Sequence, residues 1–186
     1  SAIDVAKKMG IESRLEPGLS LALGASEVSL LEMTSAFGVL ANLGLRVEPI
    51  SILKIESRDG TQLYSNPIIE RRVLDENVVA IMIDMMRGVL TRGTGFRGRI
   101  DRPAAAKTGT SQDFKDAWFI GFVPQLVTGV WVGNDDNAPM RGIAEVQVCP
   151  RIWKAYNQIV LAGIPVVGFP PPEGLTPADY LLVAPK

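Results

Sequence analysis

The sequence predicts an α+β fold, an antiparallel sheet flanked by helices. Two observations predict it. Helix-period apolar patterns with cap residues occupy much of the first half, and three strand-like runs follow closely at about 104–110, 117–123 and 126–133. Pro124-Gln125 is so short a link that the last two runs form a hairpin. Helices first and consecutive strands later is the order of an α+β domain.

Each element has its own signal. Residues 2–9 read as the end of a helix stopped by Gly10. Residues 11–28 read as a loop carrying Pro17, Gly18 and Gly24. Ser29 and Glu32 stand at capping-box spacing. The helix they open, to about Ala41, lines up Leu30, Met33, Phe37 and Leu40, and Asn42 and Gly44 end it. Residues 46–56 read as one strand, Asp59-Gly60 as a hairpin turn and 62–64 as the return strand.

Asp75 caps the clearest helix, which runs to about Leu90. Its row Val78, Ile81, Met82, Met85, Met86 and Val89 is expected in the core, the usual place for a methionine-rich stripe. Residues 91–103 are a loop rich in Gly and Arg. After the polar break at 134–137, a helix is expected at about 144–162 with Val146, Val148, Ile152, Trp153, Tyr156, Ile159 and Val160. We expect a domain over 1–163 and a Pro-rich extended tail over 164–186.

Composition excludes several chemistries. The 186 residues fit one domain, and 47% hydrophobic residues can build a core. There is no histidine, so no Ser-His-Asp or Cys-His nucleophile pair exists. With one cysteine, Cys149, neither a zinc finger nor an internal disulfide can form. Any general base is Lys, Asp, Glu, Tyr or the thiol. Nineteen Lys+Arg against 20 Asp+Glu argue against broad nucleic-acid binding. No apolar run reaches the ~18 residues of a membrane span. The chain starts with Ser1, shows no secretory leader, and reads as a piece of something longer.

Three motifs carry candidate chemistry. Gly93-Thr94-Gly95-Phe96-Arg97-Gly98 matches G-x-G-x-x-G, but a helix precedes it and a strand follows, the reverse of a dinucleotide site. It reads as a flexible loop. Ser51-Ile52-Leu53-Lys54 matches S-x-x-K, which needs a helix to bring i and i+3 together. On a strand those side chains point to opposite faces. Lys107-Thr108-Gly109-Thr110 lies on a strand and is coherent. Lysine offers a positive charge, glycine lets a ligand backbone approach, and the hydroxyls at i and i+2 share a face. The same run also suits a surface strand with a solvated lysine.

Context separates these. Residues 105–137, AAKTGTSQDFKDAWFIGFVPQLVTGVWVGNDDN, resemble the third signature box and following hairpin of penicillin-binding proteins. The resemblance is to the transpeptidase domain of the class A, bifunctional type. It extends through Met9-Gly10-Ile11, Ala22-Leu23-Gly24, Leu31-Glu32-Met33, Ala41-Asn42-Leu43-Gly44, Val89-Leu90-Thr91-Arg92-Gly93-Thr94-Gly95, Asp116-Ala117-Trp118-Phe119 and Val130-Trp131-Val132-Gly133. Ala106 departs from it, since many relatives have glycine there. The chain has no S-x-N, and its S-x-x-K is the strand mimic. The chain therefore looks like the C-terminal half of such a domain.

The resemblance implies a penicillin-binding-protein/serine beta-lactamase-like fold and serine acyl transfer that cross-links peptidoglycan stem peptides ending in D-Ala-D-Ala. Beta-lactams would acylate the same serine, and neither cofactor nor metal is implied. Lys107 and Thr110 are the implied catalytic residues. Thr110 would also offer an oxyanion-hole N–H. Thr108, Gly109, Thr110, Ser111, Asp116 and Trp118 would bind substrate, although Trp118 better suits a core and Asp116 also suits a turn cap. The implied partner is the N-terminal half of the same domain, and the implied location is the outer face of the cytoplasmic membrane or periplasm, through an upstream anchor. Two other readings stand beside this one: a non-catalytic cell-wall binding module, and a D,D-carboxypeptidase or beta-lactamase relative.

Overall fold

A computed structural model describes residues 1–140 and 145–174. Helix α1 (Ala2–Met9) ends at Gly10, whose φ of 107° is left-handed and costs a glycine little. Helix α2 (Leu30–Ala41) opens with the expected reciprocal box: the Glu32 N–H donates to the Ser29 hydroxyl, and the Ser29 N–H to the Glu32 carboxylate. That carboxylate also accepts from the N–H groups of Glu12 and Ser13 and from the Ser13 hydroxyl. It thus ties the loop after α1 to α2. These donors hold its pKa far below the usual carboxylate range, the Ser13 hydroxyl contributing most.

The expected strand 46–56 is two strands in two sheets. β1 (Leu45–Val47) and β2 (Lys54–Glu56) are separated by a stretch containing Pro49, which has no N–H to donate. β2 pairs with β3 (Gln62–Ser65) across the Asp59-Gly60 turn. β1 pairs with β4 (Glu70–Arg72), a charged, exposed run with no apolar alternation to announce it. Ser51 sits in the bend before β2, and the Lys54 ammonium is 2.9 Å from Glu56, so this S-x-x-K is not helical.

Helix α3 (Glu76–Thr91) begins at Asp75, whose carboxylate accepts from Asn77 and Val78 N–H. Half of the row expected in its core faces outward: Val78, Met82 and Met85 are 59%, 42% and 39% exposed, while Ile81 and Val89 are half-buried and Met86 is buried as expected. The inward row is Val79, Ala80, Ile83, Met86 and Leu90. The helix is apolar on adjacent faces, so two rows one residue apart both fit a 3.6 period, and the partner sheet selects between them. In α2 likewise, Ala36, Val39 and Leu40 are buried while Leu30 stays at the surface.

The centre is an antiparallel sheet of β5 (Ala105–Thr110), β6 (Asp116–Val123) and β7 (Leu126–Gly133), in that order. It carries a core on each face. Ala105 and Phe122 pack with Leu40, Val79, Ile83 and Met86 of α2 and α3. Ala106, Ala117, Phe119 and Val123 pack with Cys149 and Trp153 of α4 (Glu145–Val160) on the other face. The Trp153 indole N–H reaches the carbonyls of Gly121 and Thr128, both at 3.1 Å. A Cβ at Gly121 would lie 2.8 Å from that ring.

Of the apolar row expected on α4, Trp153 is fully buried, but Ile152, Tyr156 and Ile159 face outward. The side chain of Val146, and residue 144, fall outside what the structure describes. The indole seats the helix and carries Cys149, Asn157 and Leu161 inward with it. Residues 164–174 run back over the domain. Phe169 meets the Phe122 ring edge-on at 5.6 Å, and Asn77 exchanges two hydrogen bonds with the backbone of Glu173. Residues 175–186 of the expected tail lie outside the described residues. Among those described, no helix is long and apolar enough to cross a membrane.

Candidate active site

Strand β5 pairs with β6 alone, so among the described residues its other side is an open sheet edge. Its hydrogen-bond phase follows from its end. The Ser111 N–H donates to the Asp116 carbonyl at 3.0 Å, and the Asp116 N–H to the Ser111 hydroxyl at 2.8 Å. Antiparallel ladders alternate, so Gly109 and Lys107, opposite Trp118 and Ile120, turn their peptide groups toward β6. Thr108 and Thr110 then turn their N–H and C=O groups toward the open edge. The Lys107 ammonium lies 2.6 Å from the Thr108 carbonyl on that edge.

Side chains alternate as well. Lys107 and Gly109 share the face of α2 and α3, beyond the reach of the core, and Lys107 is exposed. Among the described residues no carboxylate pairs with it. Thr108 and Thr110 share the other face with Ala106. A Cβ at Gly109 would stand 3.2 Å from the Cβ of Trp118, so a larger residue there would push against the sheet's middle strand.

The remaining sequence-named residues frame this edge. Ser111 closes the turn into β6. Its partner Asp116 accepts from the Trp131 indole N–H at 2.9 Å, which pins that ring on β7. Trp118 is half-buried beneath Gly109 and directly opposite Trp131. Asp113 and Phe114 within the turn have φ of 60° and 54°. The Phe114 carbonyl accepts from the Met140 N–H at 3.0 Å, which anchors the loop.

Sequence reasoning missed Thr94. Its hydroxyl oxygen lies 2.8 Å from that of Thr108. Its signals in the sequence are its position between Gly93 and Gly95 and its place in the Val89–Gly95 run that carries the resemblance. Cys149 offers no nucleophile at the surface: it is buried, its thiol donates to the Ala117 carbonyl at 3.3 Å, and burial pushes its pKa up to about 11. Ser51 lies by the separate ribbon of β2 and β3. Among the described residues no group of Cys, Asp and Glu could hold a metal ion.

The arrangement can hold a chain laid along β5, with backbone partners at Thr108 and Thr110, a cation at Lys107 and hydroxyls beside them. A family model described as the penicillin binding protein transpeptidase domain matches residues 7–147. The chain is 40% identical to penicillin-binding protein 1A of Aquifex aeolicus over 97% of its own length and 26% of that protein's. It is 35% identical to penicillin-binding protein 2D of Bacillus subtilis, over 94% and 26%. It thus spans about a quarter of the length of these relatives. The structure of PonA1 from Mycobacterium tuberculosis in complex with penicillin V is similar with a TM-score of 0.83. It is 26% identical and covers 99% of this chain and 55% of that one.

Proposed function

The chain belongs to the family of penicillin-binding protein transpeptidase domains, and from that premise we propose that it supplies the substrate-holding strand of a peptidoglycan D,D-transpeptidase. Residues 1–163 would form the C-terminal part of that domain and 164–186 a following tail. The observation that carries this reading is the open edge of β5, where Lys107, Thr108 and Thr110 meet backbone groups left free by the ladder.

The chemistry is acyl transfer. A serine supplied by the N-terminal half of the domain attacks the carbonyl between the two D-alanines of a stem peptide. Its proton passes to a neighbouring base, the C–N bond breaks, and D-alanine leaves with a proton. An amine of a second stem then takes the acyl group and frees the serine. The Thr110 N–H faces the edge where the carbonyl oxygen gains charge. One oxyanion donor is worth about 2.7–4 kcal/mol in acyl-transfer enzymes. The Lys107 ammonium, unpaired with any described carboxylate, stabilises negative charge and assists proton transfer near the serine of the absent S-x-N box. The hydroxyls of Thr108 and Thr110 donate to the terminal carboxylate of the stem or of a beta-lactam. Gly109 keeps the strand seated on Trp118, and Ser111 and Asp116 hold the turn that ends it.

A fluorescent penicillin tests this. Labelling is expected only when this chain is joined with the N-terminal half, on that half's serine, and is expected to vanish in Lys107→Ala. Normal acylation of that variant would refute the role of Lys107. Labelling of this chain alone would point back to Ser51. An N-terminal partner with no S-x-x-K would favour a non-catalytic cell-wall module, and release of D-alanine without cross-linking would favour a D,D-carboxypeptidase. We place the parent protein at the outer face of the cytoplasmic membrane, held by an upstream anchor; recovery in the soluble cytoplasmic fraction would refute that placement.

A further inference from the structure

We propose that Thr94 is a positioning residue for the carboxylate subsite: it holds the Thr108 hydroxyl in the orientation that donates to the ligand. This rests on the transpeptidase reading above and assigns a task to the glycine-rich segment that precedes β5.

The two hydroxyl oxygens are 2.8 Å apart, with one donating to the other. Each hydroxyl has one proton and two lone pairs, and a carboxylate only accepts. A carboxylate arriving at Thr108 accepts a hydrogen bond from the Thr108 hydroxyl and so fixes the direction of the pair. Thr94 then donates to Thr108, and Thr108 donates to the ligand. A hydroxyl that is itself receiving a hydrogen bond is polarised and becomes a better donor. Among the described residues the side chain of Thr110 has no such support.

The loop is built to deliver Thr94 to that point. A Cβ at Gly93 would lie 2.8 Å from the Val89 Cα, and one at Gly95 would lie 2.8 Å from Val89 Cγ1 and 2.9 Å from the Phe119 ring. A Cβ at Gly98 would lie 3.0 Å from the same ring. Absence of side chains therefore lets the turn settle onto Val89 and Phe119. The N–H groups of Gly95 and Gly98 donate to the carbonyls of Val89 and Gly95 at 3.1 and 2.7 Å. Phe119 is fully buried and is the cross-strand partner of Thr108. One rigid ring thus sets both the height of the loop and the place of the strand it supports.

The test measures second-order acylation of the transpeptidase carrying this chain by benzylpenicillin and by its methyl ester, which lacks the free carboxylate. Thr94→Val keeps the shape and removes the hydroxyl. It is expected to slow the acid by roughly three- to tenfold, the range of one neutral hydrogen bond, and to leave the ester rate unchanged. Thr94→Ser is expected to restore the acid rate, and Thr94→Val is expected to add nothing in a Thr108→Val background. Equal slowing of both ligands, or of neither, would overturn the inference, because a merely structural residue does not distinguish them. Wild-type protein that neither ligand acylates would instead overturn the transpeptidase reading itself.

Discussion

Substituting Gly109 with alanine adds one methyl group to the face of β5 that lies against Trp118. That methyl would stand 3.2 Å from the Trp118 Cβ and 3.8 Å from its Cγ. Relaxed carbon contacts lie at about 3.5–4.0 Å, so the shortfall is on the order of half an ångström. Either β6 or β5 must supply it. β6 is paired on both sides, and its Trp118 faces Trp131, whose indole is held by Asp116. Among the described residues β5 is paired on one side only, so β5 moves outward and takes the edge groups of Thr108 and Thr110 with it. The stability cost falls at the low end of the about 1–3 kcal/mol typical of overpacking, because the free edge can yield. The cost to chemistry is larger. Misplacement by 1 Å can remove ~100-fold in rate, so half of that is expected to slow acylation by roughly tenfold. The assay pairs the second-order rate of labelling by a fluorescent penicillin with the thermal unfolding midpoint of the same protein. Acylation within about twofold of wild type would refute the reasoning, since β5 would then not owe its position to the contact between Gly109 and Trp118.

Two further outcomes follow from charge and burial. Glu32 has its pKa depressed from an ordinary value of 4.5 by the hydroxyl and N–H donors of Ser13 and Ser29, so its contribution to stability is present above that value and is lost as pH falls through the folded value. Glu32→Gln is expected to lower the unfolding midpoint at pH 7 and to differ less from wild type near pH 3; an equal gap at both pH values would count against this. At pH 8 a thiol with its pKa pushed up to about 11 is thiolate in roughly one molecule in a thousand. Cys149 is therefore expected to resist iodoacetamide until the protein unfolds, and rapid labelling of the native protein would show that its burial between α4 and the sheet is wrong.

The local features of this protein were legible because they depend on residues close in sequence. Ser29 and Glu32, or Asp75 and the N–H groups after it, make their bonds within one turn. Asp59-Gly60 closes its hairpin in the same way, and Pro124-Gln125 leaves β6 and β7 no other arrangement. The run from Lys107 to Thr110 declared its strand and its charge in order, and strand alternation alone put both threonines on one face.

What the sequence left open was decided by which surfaces meet. α3 has apolar residues on neighbouring faces, and only the sheet formed by Ala105 and Phe122 chose Val79 and Ile83 over Val78 and Met82. β4 has no apolar pattern and became a strand because β1 was there to pair with it. Thr94 is fourteen positions from Thr108 and in a segment of ambiguous motif. It reaches the site because three glycines let that segment close on Val89 and Phe119, a fit between side chains that no spacing rule encodes. Caps, turns and alternation are set by near neighbours along the chain, whereas burial and the meeting of distant hydroxyls are set by the shape of the packed core.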